Sequence, residues 1–248
     1  MSTIYILWLR QVKKYFRSRS RLIGSLGQPL LFLLAFGFGF GSIFRQAGQG
    51  SYIQFLGPGI IMMSVLFTAV FSGIDLIWDR QFGFLKETMV APVSRLEIML
   101  GKTAGGATVA AIQGALVFVL TLIVGFRPND WFLLPLAALF VFLVAILFTA
   151  LGITIASTMQ DMQGFQLIMN FMVMPIFFLS GAIFPLQGLP FVMDIVTRLD
   201  PLTYGIDGLR EALTSVGKFG IATDLAVITI IAAFFVVLGS YFFERIEA

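Results

Sequence analysis

The sequence predicts an all-α polytopic membrane protein with six transmembrane helices, and three observations carry that prediction. Of 248 residues, 58% are hydrophobic and only 12% charged, against about 25% charged in an ordinary soluble domain. So few charges could not cover a water-facing surface of this size. Mean hydropathy is +0.97. Six apolar runs approach the roughly 20 residues that a helix needs to cross a bilayer: 22–44, 53–77, 100–125, 132–156, 164–183 and 221–243. Pro29 and Pro175 fall inside two of them, which is tolerated where neighbouring helices satisfy the freed backbone groups. The two halves of three spans carry different loops and no internal repeat, so an inverted-repeat secondary transporter is not indicated. The chain reads as one transmembrane domain, 1–248.

Residues 2–19 precede the first span and form their own unit. Ile4, Leu7, Trp8, Val12, Tyr15 and Phe16 recur at helical spacing, with Arg10, Lys13, Lys14 and Arg17 mostly on the other side. That pattern describes an interfacial helix whose basic face meets anionic head groups; a frayed basic tail is the plainer alternative. No cleavable signal-peptide pattern is visible in the first twenty residues.

Lys and Arg placement gives the orientation. With a cytoplasmic N-terminus, the inner segments hold eleven of the 16 basic residues: Arg10, Lys13, Lys14, Arg17, Arg19, Arg21, Arg80, Lys86, Arg95, Lys102 and Arg245. Arg45, Arg127, Arg198, Arg210 and Lys218 fall outside. Both termini are therefore expected to be cytoplasmic, in a multi-pass protein of the cell membrane.

Between spans two and three lies a charged island, Asp79 to Arg95, reading DRQFGFLKETMVAPVSR. Charge is costly inside a bilayer, so the island is expected outside it. Gln81 to Val90 can form a short helix that Ala91-Pro92 ends, because the residue before proline disfavours the helical region. Phe82, Leu85 and Met89 are expected on one face, with Arg80, Lys86 and Glu87 as polar contacts. Such a helix, held rigidly between two spans, can pass a push from a partner into the membrane; a loop helix resting on the inner leaflet is the alternative.

The second irregular region, 184–220, is on the outer side in this orientation. It contains Pro185, Pro190 and Pro201 and too many charges to span. Apolar positions at helical spacing suggest two short helices dipping into the outer leaflet or lying on it, rather than a plain loop. Asp200-Pro201 reads as a helix start, with Asp as N-cap and Pro at the first helical position.

Several chemistries are excluded. With no Cys and no His, thiolate, disulfide and imidazole chemistry are absent. Leu100-Gly101-Lys102-Thr103 invites a phosphate-loop reading, but the required glycine would fall at position 96, which is Leu96. Lys102 reads instead as a side chain snorkelling to the inner face. Any use of ATP then needs a second subunit. No arrangement in the spans suggests proteolysis or metal catalysis, so no catalytic residue, bound metal or nucleic-acid partner is expected. Asp75, near the cytoplasmic end of the second predicted span, is either a proton or cation site or a structural partner for Arg80 or another nearby base. Gly37/Gly41 and Gly101/Gly105 have the small-residue spacing that lets helices approach closely.

Three stretches together resemble a known family. The island segment Phe84-Leu85-Lys86-Glu87-Thr88-Met89-Val90-Ala91-Pro92-Val93-Ser94-Arg95 is similar to the E-x-L/M-x-x-x-P segment of type-2 ATP-binding-cassette (ABC) export permeases. Phe178-Leu179-Ser180-Gly181-Ala182-Ile183-Phe184-Pro185-Leu186 looks like that family's end of the fifth span. Leu199-Asp200-Pro201-Leu202-Thr203-Tyr204-Gly205-Ile206-Asp207-Gly208-Leu209-Arg210 resembles its outer re-entrant segment. Daunorubicin/doxorubicin-resistance-like and nodulation lipo-oligosaccharide exporter permeases are the nearest branches by this likeness.

The resemblance implies a half-transporter. Two copies, or one copy and a homologue, would pair, and two separate ABC ATPase subunits, carrying ATP and Mg, would bind below; this chain itself would hold no cofactor. Residues 80–92 would be the coupling helix, with Arg80, Phe82, Leu85, Lys86, Glu87, Thr88, Met89 and Pro92 as its contact set. Trp8, Arg10, Lys13, Lys14 and Arg17 would sit at the inner leaflet. Pro185, Asp200, Pro201, Tyr204 and Arg210 would shape the outer re-entrant helices. Phe67, Phe71, Phe177 and Phe178 could line a path for a drug, lipid or lipid-linked glycan, or could simply pack. An autonomous proton- or ion-coupled carrier and a membrane assembly subunit are the competing functions.

Overall fold

A computed structural model describes residues 3–46, 51–90 and 93–244. Pro92 and the side chains of Lys86 and Met89 lie outside the described residues, as do Arg245 and the side chains of Arg19, Arg21 and Arg45. Among the described residues twelve helices follow in order: α1 (Thr3–Arg17), α2 (Arg19–Gly39), α3 (Gly41–Gln46), α4 (Tyr52–Phe71), α5 (Ile74–Gln81), α6 (Phe84–Val90), α7 (Arg95–Val124), α8 (Leu134–Thr158), α9 (Met162–Leu179), α10 (Phe191–Leu199), α11 (Pro201–Thr214) and α12 (Ile221–Glu244). No strand occurs among the described residues.

Among the described residues six segments are long and apolar enough to cross a membrane: Leu22–Gly39, Tyr52–Gln81, Arg95–Val124, Leu134–Thr158, Met162–Leu179 and Ile221–Phe243. They match the six expected spans, with shifted ends. The first stops at Gly39, and 41–46 form a separate helix. The second runs on through Gln81, so Asp79 and Arg80 continue a spanning segment rather than beginning an outside loop. The third starts five residues early because Ser94 and Glu97 form a reciprocal capping box: the serine hydroxyl accepts from the Glu97 N–H while the Glu97 carboxylate accepts from the Ser94 N–H, satisfying two orphan donors.

Packing centres on α4, α7 and α8, with α12 laid along α8 and α1 along α7. A core of apolar residues runs through them, Leu56, Ile60, Leu66, Val117, Phe140, Phe148 and Phe165 among those fully buried. At the α4–α5 break, a Cβ on Gly73 would meet the Gly152 backbone, and one on Gly152 would meet Val70. The segment therefore bends where it touches α8 backbone to backbone.

One end of the bundle gathers α1, α5, α6 and the start of α7. The opposite end gathers α10, α11, the start of α12 and the loop after α7. α11 is not a superficial element: Leu202, Ile206, Leu209 and Leu213 are buried against α4, α8 and α12. Asp200 caps it as expected, accepting from the Leu202 N–H at 2.9 Å, with Pro201 following.

Candidate functional site

The α1–α5–α6–α7 end is held by charge. Asp79 is only 4% exposed, and two helices bring cations to it. Arg10 of α1 donates twice to its carboxylate, at 2.8 and 3.0 Å, the bidentate geometry that makes guanidinium pairs strong. Lys102 of α7 pairs with the same carboxylate. Lys102 is itself 4% exposed, so it does not snorkel to the interface as expected. A buried ammonium is stable only with a partner, and Asp79 is that partner. One turn earlier Lys14 pairs with Asp75 at 2.6 Å. Of the two readings of Asp75, the structure favours the structural pair, with Lys14 as a base that holds it.

These pairs exist because α1 can reach α7 closely. A Cβ on Gly101 would lie 2.9 Å from the Leu7 Cβ, and one on Gly105 would lie 2.7 Å from the Gln11 Cβ. The Gly101/Gly105 spacing is thus an intrachain seat for α1. Further along, Trp8 donates its indole N–H to Thr108 Oγ1 at 3.0 Å, and Tyr15 donates its hydroxyl to Gln113 Oε1 at 2.6 Å. The helix turns Leu7, Gln11 and Tyr15 to the protein. Its outer side presents Tyr5, Ile6 and Phe16 together with Lys13 and Arg17. The expectation that the whole basic face meets head groups is corrected at Arg10, which is half-buried against Asp79; Lys14 pairs with Asp75 yet stays exposed, as Lys13 and Arg17 do.

The short helix starts later than expected. Gly83 takes φ +79°, a left-handed conformation that glycine adopts without steric cost, so the chain reverses between α5 and α6. Phe82 therefore precedes α6 in that turn, 71% exposed and stacked on Trp78 at 5.0 Å. Leu85, by contrast, is buried; the two do not share one helix face. Phe84 lies 3.7 Å beneath the Arg10 guanidinium, so the same arginine that grips Asp79 also clamps α6. The Thr88 hydroxyl donates to the Phe84 carbonyl at 2.8 Å, and Glu87 is exposed. Arg80 is half-buried.

The aromatic set divides. Phe67 and Phe71 stack with centroids 6.2 Å apart and line a cavity of about 410 Å³ with Gln28, Ser64, Thr68, Gln113, Gln166 and Asn170. Phe178 is 42% exposed. Phe177 is instead buried in the core against Phe32, with which it makes an edge contact at 6.3 Å.

At the opposite end, Arg210 is 6% exposed. It donates to the carbonyls of Gly181 at 2.9 Å and Phe55 at 3.4 Å and lies 4.2 Å over the Phe55 ring. Burial pulls its pKa down to about 10, with nearby Asp207 opposing that fall. The Tyr204 hydroxyl donates to the Arg198 carbonyl at 2.8 Å, tying α11 to α10. Burial raises the Asp200 carboxyl to about 7 despite its bond from the Leu202 N–H. Hydrogen bonds from Lys218 and Arg198 hold Asp194 below its ordinary value. Pro185 lines a cavity of about 340 Å³ with Phe55, Asn129, Asp207 and Lys218. The sequence reading missed the Asp79–Lys102–Arg10 cluster; its signal was opposite charges at the adjoining ends of two consecutive spans.

Comparison with known proteins follows the same outline. Residues 2–214 match the family model described as ABC-2 type transporter. The chain is 32% identical to Nodulation protein J of Rhizobium leguminosarum bv. trifolii over 84% of this chain and 78% of that protein. It is 32% identical to the putative transport permease ycf38 of Pyropia yezoensis, covering 86% and 74%. Against the inner membrane transport permease YadH of Escherichia coli K12, identity is 27%, covering 94% and 92%.

Proposed function

The chain belongs to the ABC-2 type transporter family, and from that premise we propose that it is the membrane subunit of an ATP-driven exporter, with α6 as the element through which a separate ATPase moves it. The observation that carries this reading is the clamp on α6. Arg10 grips Phe84 of α6 and Asp79 of the second span at once, while Lys102 ties Asp79 to the third. A displacement of α6 therefore loads α1 and two spans together, as an input lever must. Glu87, exposed on α6, is the contact we assign to the partner.

In this scheme two permease copies pair and two ABC ATPase subunits, holding ATP and Mg, bind the α6 end. The excess of Lys and Arg at that end makes it cytoplasmic, with both termini. Energy comes from ATP; the permease supplies a path. The cavity beside Phe67 and Phe71 joins aromatic rings to carboxamide and hydroxyl groups, which suits an amphipathic cargo such as a drug, lipid or lipid-linked glycan. The Lys14–Asp75 ion pair speaks against Asp75 as the site of a proton-coupled carrier.

Replacing Glu87 with Arg tests the lever. We expect weaker association with the partner ATPase, or loss of substrate-stimulated ATP hydrolysis, with membrane insertion intact. Unchanged association and transport would refute the role of α6. Asp75→Asn, in the same assay, is expected to leave any proton dependence of transport unaltered.

A further inference from the structure

At the end of the bundle away from α6, three carboxylates converge. Asp207 and Glu211 stand one turn apart on α11, and Asp224 lies in the first turn of α12. One oxygen from each falls within 4.8 Å of the others. Asp207 is already oriented, its Oδ2 accepting from the Lys218 and Phe219 N–H groups at 2.7 and 2.8 Å. Asp224 is different in kind. It is fully buried, and neither of its oxygens has a hydrogen-bond partner. Glu211 Oε2 is also buried and unpartnered. Gly217 makes room for it: a Cβ there would collide with that carboxylate.

The neighbouring cations balance this charge only in part: Arg210 lies close enough to Asp207 to feel its charge, but no cation is bonded to Asp224. Lys218 Nζ goes to Asp194 at 2.7 Å, and Arg210 goes to backbone carbonyls. Buried carboxylates close together without a counter-charge cannot all stay ionised. An all-oxygen, anionic donor set is what hard cations take.

We propose that Asp207, Glu211 and Asp224 form a binding site for a hard divalent cation of the Ca2+ or Mg2+ class, bridging α11 to the start of α12. A cation there would fix α11, and with it the bonds of Arg210 to Phe55 of α4 and to Gly181 just after α9, relative to the sixth span. The inference is independent of the role given to α6, because it needs only these two helices.

The test is equilibrium dialysis of the purified full-length permease in detergent against radiolabelled Ca2+ in KCl at neutral pH, with Mg2+ as competitor. We expect saturable binding of one ion per chain, displaced by excess Mg2+, with a dissociation constant on the order of 0.1–1 mM as in weak extracellular sites. Glu211→Gln and Asp224→Asn should each weaken it by about tenfold or more, and thermal stabilisation by the ion should vanish in step. No saturable binding by folded wild-type protein would overturn the proposal. Binding equal in the variants, which would then report lipid or detergent, would overturn it as well. So would an ion-independent protein that Asp224→Asn makes more stable, since the cluster would then be holding a proton. Should Asp224→Asn fail to fold, Glu211→Gln decides alone.

Discussion

The two ends of the bundle handle buried charge in opposite ways. At the α1–α6 end, Asp75 and Asp79 meet Arg10, Lys14 and Lys102 from two other helices. At the α10–α12 end, Asp207, Glu211 and Asp224 meet one another, while Lys218 and Arg210 are directed elsewhere. The contrast teaches what each end is built to do. Charges paired inside the chain weld its helices, so that a push on one is felt by the rest. Asp224, left without an internal partner, is stable only with a proton or with a counter-charge brought from outside, so that end is open to what is dissolved beside it.

The most disruptive way to break the comparison is to unpair the welded end. Asp79→Ala leaves Lys102 buried with no partner, and we expect a loss of about 3–5 kcal/mol, read as a lower unfolding midpoint in detergent. Removing both charges with Asp79→Asn and Lys102→Met should restore much of that loss, because the lone charge is what costs most. A double variant no better than the single one would show that the pair is not the weld.

A smaller effect is expected from crowding the seat of α1. Gly105→Leu drives a side chain into Gln11, and overpacking of this kind costs typically 1–3 kcal/mol. Proteolysis at α1 should become faster, and the fluorescence of Trp8 should shift red as its bond to Thr108 is lost. Gly37→Leu at the other glycine pair meets only Ile53 and should leave α1 protected.

The effect that is smallest per step, here per pH unit, concerns the far end. The Asp200 carboxyl is raised to about 7 by burial, from the ordinary carboxylate value near 4. Between those two values the folded chain holds a proton that the unfolded chain releases. Stability is therefore fullest below about pH 4 and falls as pH rises to about 7, by at most about 1.4 kcal/mol per pH unit. Asp200→Asn keeps a capping oxygen for the Leu202 N–H and should flatten that slope. An unchanged slope would assign the titration to another group.

How much of this was legible depends on whether the signal is local. The α6 boundary was misjudged by three residues because Gly83 looks helix-tolerant in sequence, and only its φ of +79° reveals the reversal. The start of α7 was legible but passed over: Ser94 followed three residues later by Glu97 is a capping-box signature. The pairing of Asp79 with Lys102 was half legible, as opposite charges on consecutive spans. Asp207 and Glu211 are an evident i, i+4 pair, whereas Asp224 joins them only because the turn through 215–220 folds α12 back onto α11.

The sequence by itself determined the class and the number of crossings. Apolar composition and run length depend only on which residues follow one another, and so does the family likeness carried by the island and the Asp200-Pro201 segment. Tertiary structure decided which buried charges find a partner and which do not. Arg10 and Lys14, read along the chain, belong to a basic face for head groups; in the fold they close on Asp79 and Asp75, because Gly101 and Gly105 let α1 approach α7. The energy of a charge is set by its neighbours in space, within a few ångströms and across a low dielectric, and linear order alone does not specify those neighbours.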